Sequence, residues 1–438
     1  MRIEAVRARR IWDSRGRPTV EVEVRLAGGA CGRGVAPAGA SRGSGEAIDL
    51  RDGGARFGGY GVDRVLAGVD GEIAHALRGR DAADQESIDA ELARLDGTPG
   101  FSRLGGNATI ATSLAVLHAA AACAGVPLWR HLAGAREVRL PLPQVQIFGG
   151  GAHAGGRIDL QDLLVMPLAA STFDEALAQV AEVYRAAGEL MAARDRRAGV
   201  ADEGGWWPEF AANEEALEAL ARAIERAGFR RDEMGIALDV AASEFGHDGR
   251  YRLGLERREL DTAAWLDVLT GWVRRYGIVS VEDPVAEDDA AGMRAFTAAV
   301  GDSVQVVGDD YLVTDATRIE AAAQSGACNA ALLKPNQAGT VTAMRRAFEA
   351  AKRAGWATIV SARSGETEDV SIVHLAVGWD AGQLKVGSFA RSERMAKWNE
   401  ALRIEDALRP RARYAGRSAL ATRASSPRSQ STQSAAEK

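Results

Sequence analysis

Three carboxylates followed by three cations, each closing an apolar run, carry the chemistry legible in this chain. They are Asp239 in ALD, Glu282 in SVED, Asp309 in VVGDD, Lys334 in ALLK, Arg363 in VSAR and Lys385 in QLK. From Glu282 onward they follow one another at intervals of 22 to 29 residues. That is the length of one strand, one crossover helix and two loops, the repeat of a β/α barrel, whose active sites lie at strand C-termini. Oxygen ligands without Cys or His favour Mg²⁺ or Mn²⁺ over zinc. Asp239, Glu282 and Asp309 therefore read as a hard-metal site facing an anion site. One strand-end carboxylate alone is as readily a helix cap or an ion-pair partner; three in register point to a metal.

Lys334 closes an otherwise apolar strand, so its ammonium is expected in a low-dielectric mouth beside a metal and other cations. Both effects lower a lysine pKa and make a usable base; the alternative is an ion pair with Asp309 or Glu282. Arg363 with Ser364 offers a guanidinium fork and a hydroxyl to a phosphate, and Lys385 a point charge to a carboxylate. Glu203, in the glycine-bearing loop ADEGGWWP beside Asp202, suits a general acid; a solvated loop glutamate is the alternative. A small anionic substrate with a carboxylate and a phosphate, bound to Mg²⁺, can lose its α-proton to Lys334 while an acid on the other face expels a β-leaving group. The reaction class is carbon–oxygen elimination.

The elements that must position these residues fit a chain of 438 residues. One barrel takes about 250 residues, which leaves room for a smaller domain. Residues 1–134 read as an α+β capping domain: strands from Ile3 to Leu26, a Gly- and Ser-rich loop from Ala36 to Gly45, and helices from Val62 to His131, among them the Ala-rich run ATSLAVLHAAAACAG. Residues 135–417 alternate strand and helix, with eight apolar strands expected to form a closed parallel sheet. The Ser- and Ala-rich stretch 418–438 reads as a disordered tail. Cys31, Cys123 and Cys328 have no metal or disulfide spacing and read as buried thiols. No apolar run reaches the ~20 residues of a membrane span, and the N-terminus lacks a signal-peptide core, so a cytoplasmic protein is expected. A net charge of −6 argues against nucleic-acid binding.

From about Arg2 to Arg417 the chain resembles the enolase family, on WDSRGRPTVEVEV, GAS, ADEGG, ALDVAASEF, SVEDP, VVGDDYLVT, LLKPNQAGT, SARSGETED and GQLKVGSFARSERMAKWNEALRIEDAL. The resemblance implies an α/β fold, an atypical TIM-like barrel with a smaller N-terminal α+β domain, in a homodimer or higher homo-oligomer. A lysine or histidine base beside one or two Mg²⁺ ions is the device known from the enolase superfamily at large. Carried over by position, Asp239, Glu282 and Asp309 resemble ligands of a first Mg²⁺. Ser41 resembles the residue that helps hold a second, completed by the substrate phosphate. Lys334 resembles the base, Glu203 the acid, His153 the loop histidine that closes over substrate, Arg363 and Ser364 the phosphate binders, and Lys385 the carboxylate contact.

The departures cluster. Ala362 stands where the family's SHRSG has histidine, Gln161 is followed by Asp162 where the family has QE, GGGAHA replaces NGGEHA, and GASR puts Arg42 where GAST has threonine. Shortening Glu to Asp withdraws a carboxylate by about 1.5 Å, enough to misplace a proton-transfer group. Arg42 adds a fork suited to one further anionic group. These changes favour a specialised paralogue similar to carboxyphosphonoenolpyruvate synthase of phosphonate-antibiotic pathways. The alternatives are a divergent enolase interconverting 2-phosphoglycerate and phosphoenolpyruvate, and an inactive binding paralogue.

Overall fold

A computed structural model describes residues 1–421. The N-terminal sheet is an antiparallel meander of β1 (Ile3–Trp12), β2 (Pro18–Leu26) and β3 (Cys31–Val35). Alternation along β2 sends Val20, Val22, Val24 and Leu26 into the core. On its other face Glu21 and Glu23 pair with Arg9 and Arg33. The Ala-rich run forms the helix Gly106–Cys123, apolar enough over 18 residues for a membrane span by composition alone, yet 83% buried inside the protein. It lies directly on β3. A Cβ on Gly34 would come within 2.5 Å of the Ala111 carbonyl oxygen and 2.6 Å of the Ala115 nitrogen. Small residues on both partners are what allow backbone to meet backbone.

Eight strands then close a barrel: β4 (Leu142–Gly149), β5 (Asp162–Pro167), β6 (Met234–Asp239), and, after a three-stranded excursion of β7 (Gly246–His247), β8 (Arg250–Leu253) and β9 (Arg258–Asp261), β10 (Ile278–Glu282), β11 (Gln305–Gly308), β12 (Ala330–Leu333), β13 (Ala357–Ser361) and β14 (Gly382–Ser388). The expectation of an all-parallel sheet is corrected at β5, which runs antiparallel to both β4 and β6. No α-helix fills the span between β4 and β5, so β5 returns as the second arm of a hairpin; two helices, Phe173–Ala192 and Asn213–Arg226, then lead back to β6. The lower lumen is polar: Gln144, Gln305 and Gln383 bond to one another. Gln383 also donates to the Ala419 carbonyl. Residues 418–421 thus lie under the barrel; the remainder of the expected tail lies outside the described residues. Cys31 and Cys123 are exposed, and only Cys328 of the three cysteines is buried, because Cys31 stands at the start of an edge strand and Cys123 at a helix end.

The smaller domain is stitched to the barrel mouth. Ala38 and Gly365 exchange backbone hydrogen bonds of 2.9 and 2.8 Å, and Ser14 donates to the Glu366 carbonyl. The buried Asp89 carboxylate accepts from Ser113 and from the first turn of helix Val341–Arg353 at Thr342. His118 bonds Ser371 at 2.8 Å, and beside it His374 faces Glu400 at 3.5 Å.

Burial holds His374 down to about 4, outweighing the opposing pull of Glu400, and the neighbouring His118 lowers it further. A histidine whose folded pKa lies below its unfolded value binds protons more readily when unfolded. Its contribution to stability is complete above the unfolded pKa of 6.5 and is lost as pH falls toward 4. The melting temperature should therefore drop on acidification through this window, and His374→Leu should shrink that drop. Gly34→Ala should destabilise the N-terminal domain by about 1–3 kcal/mol through overpacking, read as a lower melting temperature.

Candidate active site

All six charged residues of the opening pattern are buried at one end of the barrel. Asp239 and Glu282 end β6 and β10, while Asp309 and Lys334 directly follow β11 and β12. Arg363 lies two residues past β13. Lys385 is the exception to the strand-end reading, since it lies in the middle of β14 beside a register shift that ends at Gly387. That irregularity lets the strand run on to Ser388 while Lys385 still faces the mouth.

The expected division into a metal side and an anion side is corrected by the contacts. Lys385 Nζ lies 2.7 Å from Asp239 Oδ2 and 2.8 Å from Glu282 Oε2, and 3.6 Å from Asp162 Oδ2. Lys334 Nζ donates to Asp309 Oδ2. The cations are interleaved with the carboxylates because like charges buried together need opposite charge between them. Burial, then the neighbouring Asp239, push Glu282 well above the usual carboxylate range. Lys334 was expected to be depressed; burial does act that way, but the Asp309 carboxylate overrides it and raises the ammonium. Burial likewise pulls Lys385 down, and Asp239 and Glu282 outweigh it and raise the ammonium.

This donor set fits Mg²⁺. Three buried carboxylates stand against two ammonium groups, all ligand atoms are hard oxygens, and Gln161, which donates to Asp239 at 3.1 Å, keeps its buried Oε1 without a hydrogen-bond partner. Asp283 supports the set from behind, accepting from the backbone N–H groups of Asp309 and Asp310 at 2.9 and 2.7 Å. Burial and its acidic neighbours hold Asp283 well above its ordinary pKa, and Asp310 is pushed up to about 8 by burial and Asp309.

Across the mouth, His153 stands on the short turn Gly151–Ala154 after β4. Its Nδ1 lies 3.0 Å from Asp162 Oδ1 and its Nε2 3.9 Å from Glu203 Oε1. Burial pulls this imidazole down, but the two carboxylates together push it up to about 9, while His153 holds Asp162 below its ordinary value against burial. Glu203 was paired in the sequence with Asp202. Its close charged neighbours are His153 and Arg394, the latter at 4.0 Å, because the Asp202 backbone turns back to bond the His153 carbonyl.

On the third side Arg363 is fully engaged. It reaches Glu46 at 2.9 Å, Asn336 at 3.1 Å and the Ser41 carbonyl at 2.8 Å. A Cβ on Gly39 would lie 1.9 Å from its Nη2, so only glycine fits there. Ser364 Oγ accepts from Ala40 N–H and from Arg15. Ser41, His153, Glu203, Lys334, Ala362 and Lys385 line one cavity. Arg42 does not: its side chain is 47% exposed and pairs with Asp49 at 3.0 Å. Its expected role toward an extra anion is corrected, because Ser41 turns inward and the next side chain outward. Glu46, Arg15 and Asn336 were missed in the sequence, where a lone charge or amide in a loop carries no periodic signal. Asp283 and Asp310 were visible as the second acids of ED and DD.

Comparison with known proteins shows the family. Residues 3–132 match the family model described as Enolase, N-terminal domain, and residues 137–423 match Enolase, C-terminal TIM barrel domain. The chain is 46% identical over 424 residues to Enolase 1 of Desulfitobacterium hafniense, covering 96% of this chain and 97% of that protein. It is 48% identical over 416 residues to Enolase of Acidothermus cellulolyticus, covering 94% and 96%.

Calorimetric titration of the protein with Mg²⁺ should give saturable binding, and Glu282→Gln should remove it, since a neutral amide leaves Lys385 to balance Asp239 alone. Unaltered binding in that variant would place the ion elsewhere.

Proposed function

The chain belongs to the enolase family and is a carbon–oxygen lyase of the hydro-lyase type, and from this premise we propose that it interconverts 2-phosphoglycerate and phosphoenolpyruvate. The observation that carries the reading is that Lys334 and Glu203, a base and an acid of suitable chemistry, line the same cavity as Arg363 and Ser364. Full-length likeness to enolases supports it.

Asp239, Glu282 and Asp309 would hold Mg²⁺, which supplies the positive charge that acidifies the carbon next to the substrate carboxylate. Lys334 takes the α-proton. In the resting protein it is an ammonium held by Asp309, so it must shed a proton before it can accept one. Glu203 gives a proton to the departing hydroxyl, and the charged His153 beside it keeps negative charge on that side balanced. Arg363 and Ser364 receive the phosphate, with Ser41 closing from the loop above. Lys385 meets the substrate carboxylate. A second ion held with the phosphate at Ser41 belongs to the same proposal.

The reading of a specialised paralogue loses its argument for an extra anion once Arg42 is directed to Asp49 and away from the cavity, and keeps Ala362, which lines that cavity where the family has histidine. Asp162, though one methylene shorter than glutamate, still reaches His153 at 3.0 Å, so this departure does not dismantle the acid side. A silent paralogue would have no reason to keep three mutually repelling buried carboxylates.

With Mg²⁺ and 2-phosphoglycerate the protein should produce the ultraviolet absorbance of phosphoenolpyruvate. Lys334→Ala should abolish both that signal and the exchange of the α-proton with solvent deuterium. Arg42→Ala, a surface change, should leave kcat/KM within about twofold. Exchange without product would restore the specialised reading.

A further inference from the structure

Gln146 lies on β4 with no exposed surface, between Asp162 and the loop that carries Glu203. Its amide is held at both ends. Oε1 accepts from the Gly205 backbone N–H at 2.8 Å, and Nε2 donates to Asp162 Oδ1. A peptide N–H can only donate, so the end against Gly205 must be the oxygen, and the NH₂ must face Asp162. There is no slack for another arrangement. A Cβ on Gly205 would lie 2.5 Å from Gln146 Oε1, and one on Gly149 would lie 3.2 Å from both amide atoms.

The consequence runs outward along the chain of bonds. With an N–H pointed at it, Asp162 Oδ1 is an acceptor. His153 Nδ1, 3.0 Å from the same oxygen, must then carry a hydrogen, and the ring presents Nε2 to Glu203. A reversed amide would set oxygen against oxygen at Asp162 and demand a proton between them. The same residue also pins the acid loop. Gly205 is two positions past Glu203, whose carbonyl accepts from Ser388 N–H, while Ser388 Oγ donates to the Gln146 carbonyl. Other charged groups facing this chain are Lys385, 3.6 Å from Asp162, Arg394, 4.0 Å from Glu203, and the carboxylates of Asp239 and Glu244, which interact with the His153 ring.

We propose that Gln146 is a positioning residue which fixes the direction of the hydrogen-bond chain from Gly205 through Asp162 to His153, and thereby aims His153 at Glu203. Its catalytic consequence rests on the reading of Glu203 as the acid for 2-phosphoglycerate; its structural content does not.

Two variants test it. Gln146→Met fills similar volume without either bond and should lower kcat about 10- to 100-fold, the range for residues that orient a catalytic group, with KM for 2-phosphoglycerate changed less than about threefold. Gln146→Glu keeps the acceptor toward Gly205 but can donate to Asp162 only while protonated, so its activity relative to the parent should rise as pH falls. In nitrogen-resolved NMR of the unliganded protein, which has six histidines, the His153 Nδ1–H signal should lie downfield as a charge-assisted bond and move upfield in Gln146→Met. Parent-like kcat in a folded Gln146→Met, or a His153 signal indifferent to both substitutions, overturns the proposal. If Gln146→Met does not fold, Gln146→Glu decides on pH profile and spectrum together. If the parent itself fails to turn over 2-phosphoglycerate, the functional reading falls, and the His153 spectrum alone decides the role of Gln146.

Discussion

Buried negative charge at the barrel mouth is the constraint from which the rest of the site follows. Asp239, Glu282 and Asp309 are nearly inaccessible to water, and carboxylates so placed are stable only with positive charge among them. Lys385 and Lys334 provide it by direct contact, which is why both ammonium groups are raised despite burial.

The smaller domain completes the site by backbone contact more than by side chains. Ala38 pairs with Gly365, Gly39 lies where any Cβ would strike the Arg363 guanidinium, and Glu46 meets that guanidinium from the same loop. The glycine- and serine-rich stretch therefore needs its composition for close approach. Helix Gly106–Cys123 and β3 extend the principle into the domain core, where small residues again let main chains touch. On the acid side, main-chain bonds from Gly204 N–H to the Ala201 carbonyl, from Ala201 N–H to the Gly205 carbonyl and from Ser388 N–H to the Glu203 carbonyl hold Glu203 near His153.

How much was legible in the sequence differs by kind of residue. Asp239 closes an apolar strand, and Glu282, Asp309, Lys334 and Arg363 close apolar strands that recur at barrel spacing, so burial and convergence were written in that pattern. Arg42 was read from chemistry alone, and chemistry does not say which way a loop side chain turns. Glu46 and Asn336 had no pattern around them, yet they occupy the guanidinium expected to await phosphate.

By itself the sequence determined the eight barrel strands, the six charges that meet at the barrel mouth and the reaction class they permit, because these depend on local periodicity and on side-chain chemistry. Only the tertiary structure decided that β5 runs antiparallel, that Lys385 reaches the mouth from mid-strand, and that each lysine is paired with the carboxylates it was expected to face across a gap. Those outcomes depend on which residues far apart in the chain share a few ångströms of low-dielectric space, and the Coulomb energy of that sharing is invisible along a one-dimensional string.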